Sequence, residues 1–184
     1  MVDRETRIII AGFGGQGVVL AGELIARACI FEEVNVTAMV SYGAEMRGGT
    51  ANTTVVLSNG EIGSPVVERP DIAIVLNRPS LEKFEPLIVE GGVIIVNSSM
   101  IDIGVGRGGL KVFEIGATDI AKEMGNIRVA NVICLGVFLR ATGLLKKGSI
   151  EEAICEVFSG RRQGLAAINK EALERGFSMD GNRK

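Results

Sequence analysis

Short apolar runs separated by glycine-rich turns fill the first two-thirds of the chain. Arg7 to Ala11 contains three consecutive isoleucines, Ile8, Ile9 and Ile10, which suits a strand buried on both faces. Gly12 to Gly17 is a turn. Val18 to Ile30 changes to helical spacing, with Leu20, Leu24 and Ala28 on one stripe and Val19, Glu23 and Arg27 on another. Val34 to Val40 reads as a second strand, a polar glycine-rich loop runs from Ser41 to Gly49, and Thr50 to Ser58 is a third strand rich in β-branched residues. Asn59-Gly60 behind it is a hairpin signal, so antiparallel pairing is expected there.

Further along, Asp71 to Asn77 reads as a buried strand, with a short helix opened by Pro79 and ended by Pro86. Gly91-Gly92 turns the chain into another buried strand, Val93 to Asn97. Residues 102–109 form a glycine-rich exposed loop, and Lys111 to Ile115 is the last strand. From Thr118 onward the pattern is helical, with breaks at Gly143, Gly148 and Gly160. The segment from Val129 to Ala141 is apolar nearly all round. It predicts a helix buried on more than one side, in the domain's own core or at a subunit interface. Asn131 inside it must then find hydrogen-bond partners. The alternation predicts an α/β, Rossmann-like layered domain with a mostly parallel but mixed sheet and a helical C-terminal part.

Composition narrows the chemistry. At 184 residues and 47% apolar content, one domain spanning residues 1–184 is expected. The net charge of −2 and the 4% aromatic content argue against nucleic acid or an acidic membrane as a partner. There is no histidine, the commonest general acid–base and metal ligand. Cys29, Cys134 and Cys155 are far apart and form no C-x-x-C pair, so a metal or iron–sulfur centre made by this chain alone is not expected. All three are expected as buried thiols on helices. The N-terminal residues are charged and unlike a signal peptide, and no apolar run approaches the ~20 residues of a membrane span, so a cytoplasmic protein is expected.

Two clusters carry the candidate chemistry. Gly12, Gly14 and Gly17 fit G-x-G-x-x-G between a strand and a helix, a context in which backbone amides hold phosphate. The second strand ends Met39-Val40-Ser41 without the acid that a dinucleotide site places there, and Gly17 is followed by Val18-Val19 rather than Lys-Ser/Thr. A turn that binds nothing, a subunit contact, an anion or nucleotide site, and an NAD or FAD site all stay open on this motif alone. The second cluster, Ser41-Tyr42-Gly43-Ala44-Glu45-Met46-Arg47-Gly48-Gly49, follows the second strand, so the two loops are expected at one sheet edge. Arg47 is suited to an anion or a partner's carboxylate, or to a local ion pair with Glu45.

Taken together, G-F-G-G-Q-G at 12–17 and S-Y-G-A-E-M-R-G-G at 41–49 resemble the gamma subunits of 2-oxoacid:ferredoxin oxidoreductases. The resemblance continues through residues 69–77, 90–98, Ala130-Asn131 and Leu135-Gly136, over about residues 7–177. It implies a complex that decarboxylates a 2-oxoacid with thiamine diphosphate and Mg, passes electrons through iron–sulfur clusters to ferredoxin, and releases an acyl-CoA. This chain would be noncatalytic and structural, with thiamine-diphosphate-binding and ferredoxin-like chains as partners and no cofactor firmly bound by itself. The implied contact residues, for CoA, are Gly14, Gly15, Gln16, Gly17, Ser41, Tyr42, Glu45, Arg47, Gly48 and Gly49. The segment Ile8 to Phe13 lacks His, which places the chain nearer the 2-oxoglutarate or branched-chain types than the pyruvate type. A small subunit of indolepyruvate:ferredoxin oxidoreductase and an independent nucleotide-binding oxidoreductase are the alternatives. A homodimer is conceivable for the isolated chain.

Overall fold

The isoleucine run becomes β1 (Thr6–Phe13), and its side chains alternate between two separate cores. Ile8 and Ile10 face one, while Ile9 and Ala11 face the other. The structure is a computed structural model describing residues 5–42, 50–160, 163–179 and 182–183. The same alternation recurs in β4 (Ile72–Val75) and β5 (Val93–Asn97), where Ile74 and Ile95 face the first core and Val75 and Ile94 the second. Strands buried on both faces read as continuous apolar runs for this reason.

Seven described strands form one sheet in the order β2-β3-β1-β4-β5-β6-β7, with β2 at Asn35–Tyr42, β3 at Thr50–Ser58, β6 at Lys111–Ile115 and β7 at Asn182–Arg183. β1, β4, β5 and β6 are parallel, whereas β3 runs antiparallel to both β1 and β2. The larger core lies under α1 (Val18–Phe31), α3 (Ala117–Glu123), α4 (Ala130–Thr142), α5 (Lys147–Val157) and α6 (Gln163–Ser178). The smaller core lies under α2 (Arg78–Phe84) and the segments that follow it, through Leu81, Phe84, Ile88 and Ile101.

Four local readings change. Asn59-Gly60 makes no hairpin: β3 already has β2 on one side and β1 on the other, so no edge is open to a following strand. Instead Gly60 is pinned beside β2, its carbonyl accepting from Asn35 Nδ2 at 2.9 Å. Both antiparallel partners of β3, namely β1 and β2, precede it in the chain. Gly148 does not break a helix but sits in the first turn of α5, where the backbone N–H groups have no intrahelical bond to lose. Cys155 is exposed, since the buried stripe of α5 is Ile150, Ala153 and Ile154. The strand at Lys111–Ile115 is not the last, because β7 adds antiparallel to it.

The apolar helix at 129–141 is α4, with every residue from Asn131 to Leu139 buried. It packs on α6 through two glycines. A Cβ on Gly176 would run into the Ile133 carbonyl, and one on Gly136 into the Leu173 carbonyl and the Phe177 amide. The two backbones therefore touch directly, which only glycine permits.

Candidate functional site

The first glycine turn sits at the carboxyl end of β1 and is held from behind. Gln16 Oε1 accepts from the Phe13 amide at 2.6 Å and from Asn77 Nδ2 at 3.1 Å, while Gln16 Nε2 donates to the Leu76 carbonyl at 3.2 Å. Gln16 is thus a latch between the turn and the end of β4, and its polar atoms are engaged inside the protein. Gly12 makes room for that latch, since a Cβ there would lie 2.7 Å from Gln16 Oε1. Gly17 has φ 76° and packs against Asn131, whose Nδ2 donates to the Gly17 carbonyl at 2.9 Å. The four glycines therefore divide into two kinds. Gly12 and Gly17 are closed in, whereas a Cβ on Gly14 or Gly15 would meet nothing within 4 Å.

Gly17 is the N-cap of α1 and supplies no side-chain cap, and the first turn of α1 has no acidic residue. The uncapped amides and the positive end of the helix dipole at that point favour an anion. Ladder register places Ser41 and Tyr42, the first residues of the second cluster, at the same sheet edge. Ala51 of β3 pairs with Gly12 on one side and with Tyr42 on the other. Ser41 is exposed at this end of β2. Glu45, Arg47, Gly48 and Gly49 lie outside the described residues, as does the side chain of Tyr42.

A cavity of about 180 Å³ opens beside the turn, between Gly15, Gln16, Leu76, Asn97, Met100, Thr118, Ile127, Arg128 and Ala130. Its residues come from the first glycine turn, the end of β5, the segments just after β4 and β5, the start of α3, and the 3-10 turn that leads into the start of α4. Asn97 and Thr118 pair reciprocally, with Asn97 Nδ2 donating to Thr118 Oγ1 at 2.8 Å and the Thr118 amide donating to Asn97 Oδ1 at 3.3 Å. Asn77 plays the matching part at β4, its Oδ1 accepting from the Ser80 amide at 2.9 Å to cap α2. Sequence reasoning missed these asparagines as site builders. Their signal was that β4 and β5 each run into Asn at the same sheet edge, where N-caps are expected.

Asn131 is 2% exposed, and its Oδ1 has no hydrogen-bond partner. The burial expected of it holds, and one of its two polar atoms is satisfied. Burial pushes the thiols of Cys29 and Cys134 up to about 12, helped at Cys29 by the nearby Glu32 carboxylate, so neither is a thiolate at neutral pH. Among the described residues no group of three or more His, Cys, Asp or Glu side chains is placed to hold a metal ion. No helix among them is long and apolar enough to cross a membrane.

The model of the pyruvate ferredoxin/flavodoxin oxidoreductase family matches residues 7–179. The chain belongs to this family. Relatives within the oxidoreductase family include the ketoisovalerate oxidoreductase subunit VorA of Methanothermobacter thermautotrophicus, 38% identical over 94% of this chain and 36% of its own length. The chain thus spans little more than a third of that relative. The 2-oxoglutarate synthase subunit KorC of Methanocaldococcus jannaschii is 34% identical over 97% of this chain and 95% of its own length. Among solved structures, the gamma subunit of a keto/oxoacid ferredoxin oxidoreductase from Geobacter sulfurreducens superposes with a TM-score of 0.80 at 29% identity, over 94% of this chain and 96% of that one. The α/β fold is that of these oxidoreductase gamma subunits.

Proposed function

We propose that this chain is the gamma subunit of a thiamine-diphosphate-dependent 2-oxoacid:ferredoxin oxidoreductase, acting as one domain over residues 1–184. The observation that carries the reading is the near end-to-end match to a small, separate 2-oxoglutarate synthase subunit, together with the family match over residues 7–179. The subunit is structural, and thiamine diphosphate, Mg and the iron–sulfur clusters belong to other chains. It operates in the cytoplasm. The names of the relatives support a 2-oxoglutarate or branched-chain 2-oxoacid as substrate of the complex.

Within the complex, the Gly14–Gly17 turn presents amides to a phosphate of CoA, and Ser41, Tyr42, Glu45, Arg47, Gly48 and Gly49 approach from the second loop. The open faces of Gly14 and Gly15 and the uncapped start of α1 support that part of the reading. Gln16 contributes by holding the turn rather than by touching the ligand.

The test is an anaerobic pull-down of the tagged chain from its native cells, with the co-purifying chains identified by mass. A thiamine-diphosphate chain and a cysteine-rich ferredoxin-like chain are expected, and the recovered complex should reduce ferredoxin with 2-oxoglutarate or a branched-chain 2-oxoacid plus CoA. Recovery of this chain alone with a bound nucleotide would sink the reading. In the active complex, Arg47→Ala should raise the KM for CoA; an unchanged KM removes the CoA role and leaves the structural one.

A further inference from the structure

The cavity beside the glycine turn has the character of a receptor for a protein side chain. At about 180 Å³ it is smaller than the roughly 300–1,000 Å³ of small-molecule sites and suits one bulky side chain. Its walls are largely apolar, from Leu76, Met100, Ile127 and the Ala130 methyl. The polar pair in its lining, Asn97 and Thr118, is joined to itself and makes no demand for a polar ligand. Met100 and Ile127 stand 43% and 56% exposed at its lips, an arrangement that leaves apolar surface in water.

The rim carries a charge without a counterpart. Arg128 is exposed and forms no ion pair among the described residues. Arg128 and Ile127 lie side by side in the 3-10 turn Ile127–Val129, which Asn126 caps by accepting from the Arg128 amide at 3.1 Å. The apolar lip and the cation are thus presented together on a fixed piece of backbone. Anchoring of one apolar side chain in a preformed pocket with charge closure at the rim is how interface hot spots are built.

We propose that this cavity docks another subunit of the complex through one large aliphatic or aromatic side chain, with an Asp or Glu within a few residues of that anchor closing on Arg128. The proposal rests on the reading of the chain as a subunit and names the surface by which it is held.

The experiment uses the complex purified from cells, with the photo-crosslinking residue benzoylphenylalanine in place of Ile127, and as a control in place of Val66, which is exposed near Arg7 and Arg69 at the other end of the strands. On irradiation, the Ile127 derivative should join to a partner subunit at a bulky apolar residue with an acidic neighbour, and the Val66 derivative should not reach that peptide. Arg128→Glu and Ala130→Leu should each reduce co-purified partner about tenfold, the effect of one lost hot-spot contact. The isolated variants should keep the parent unfolding midpoint to within a few degrees, which separates lost docking from lost folding. Crosslinking only to a second copy of this chain, joining to a peptide without an acidic residue, or suppression of the crosslink by CoA each overturn the proposal while the subunit reading stands. Absence of any thiamine-dependent partner with the unmodified chain overturns both.

Discussion

Asn131, near the start of α4, holds the carbonyl of Gly17 at the start of α1, 114 positions earlier in sequence, through a 2.9 Å bond from Nδ2. The same amide nitrogen lies 2.5 Å from where a Cβ on Gly17 would be. The glycine and the asparagine therefore form one unit, and their substitutions should not add. Gly17→Ala meets both a positive φ and the asparagine and should cost about 2–4 kcal/mol. Asn131→Ala removes a bond but also a buried unpaired oxygen, and should cost about 1 kcal/mol. The double variant should be less destabilised than the sum by at least about 0.5 kcal/mol, measured by urea unfolding. Strict additivity would show that the two residues do not constrain each other.

Gln16→Glu should destabilise by about 2 kcal/mol, because a carboxylate cannot donate to the Leu76 carbonyl 3.2 Å away and instead repels it. Gln16→Ala should cost less than this only if water reaches the amide of Phe13. Thermal unfolding of both variants against the parent checks the order, at roughly 2–4 °C per kcal/mol for a chain of this size.

At the α4–α6 contact, Gly176→Ala should be among the most damaging single-methyl additions in the chain, costing about 3 kcal/mol or more, since the obstacle is the Ile133 carbonyl rather than a movable side chain. Gly148→Ala, with nothing within 4 Å in the first turn of α5, should stabilise by about 0.5–1 kcal/mol. Denaturant midpoints of the two variants should move in opposite directions.

The thiols give a labelling and a pH prediction. In the isolated native chain a maleimide should modify Cys155 alone, and Cys29 and Cys134 only on unfolding. Both buried thiols are pushed from 9.0 to about 12 by burial. Above pH 9 the unfolded thiols lose their protons while the folded ones keep them. Stability contributed by keeping them neutral is complete below pH 9 and falls as pH rises towards 12, by up to about 1.4 kcal/mol per pH unit for each thiol. A urea midpoint that stays level from pH 8.5 to 10.5 would contradict this.

Three strands were readable at their observed bounds, Thr50–Ser58, Val93–Asn97 and Lys111–Ile115, because β-branched runs ended by turns are a strong local signal. The all-round burial of α4 was readable from its composition. Asn59-Gly60 misled because a turn signal is local, whereas the vacancy of a strand's edge is decided by β1, about fifty residues earlier. β7 carries no apolar pattern, so its pairing with Phe113 and Glu114 left no trace in the sequence. At the site, the G-x-G-x-x-G spacing marked the turn but not the division of labour within it. That division depends on Leu76, Asn77 and Asn131, which only the fold brings near. The adjoining cavity was invisible for the same reason, its lining being drawn from positions between 15 and 130.

Among the described strands, β2 reaches the rest of the sheet only through β3, which pairs with all eight residues of β1. The two strands form a ribbon hung from β1. Residues added or removed in the connection at positions 43–49 would slide no pair between β1 and β3. In this architecture the length of the second loop is open to evolutionary change at little cost in stability, while the first glycine turn, clamped on both sides, is not.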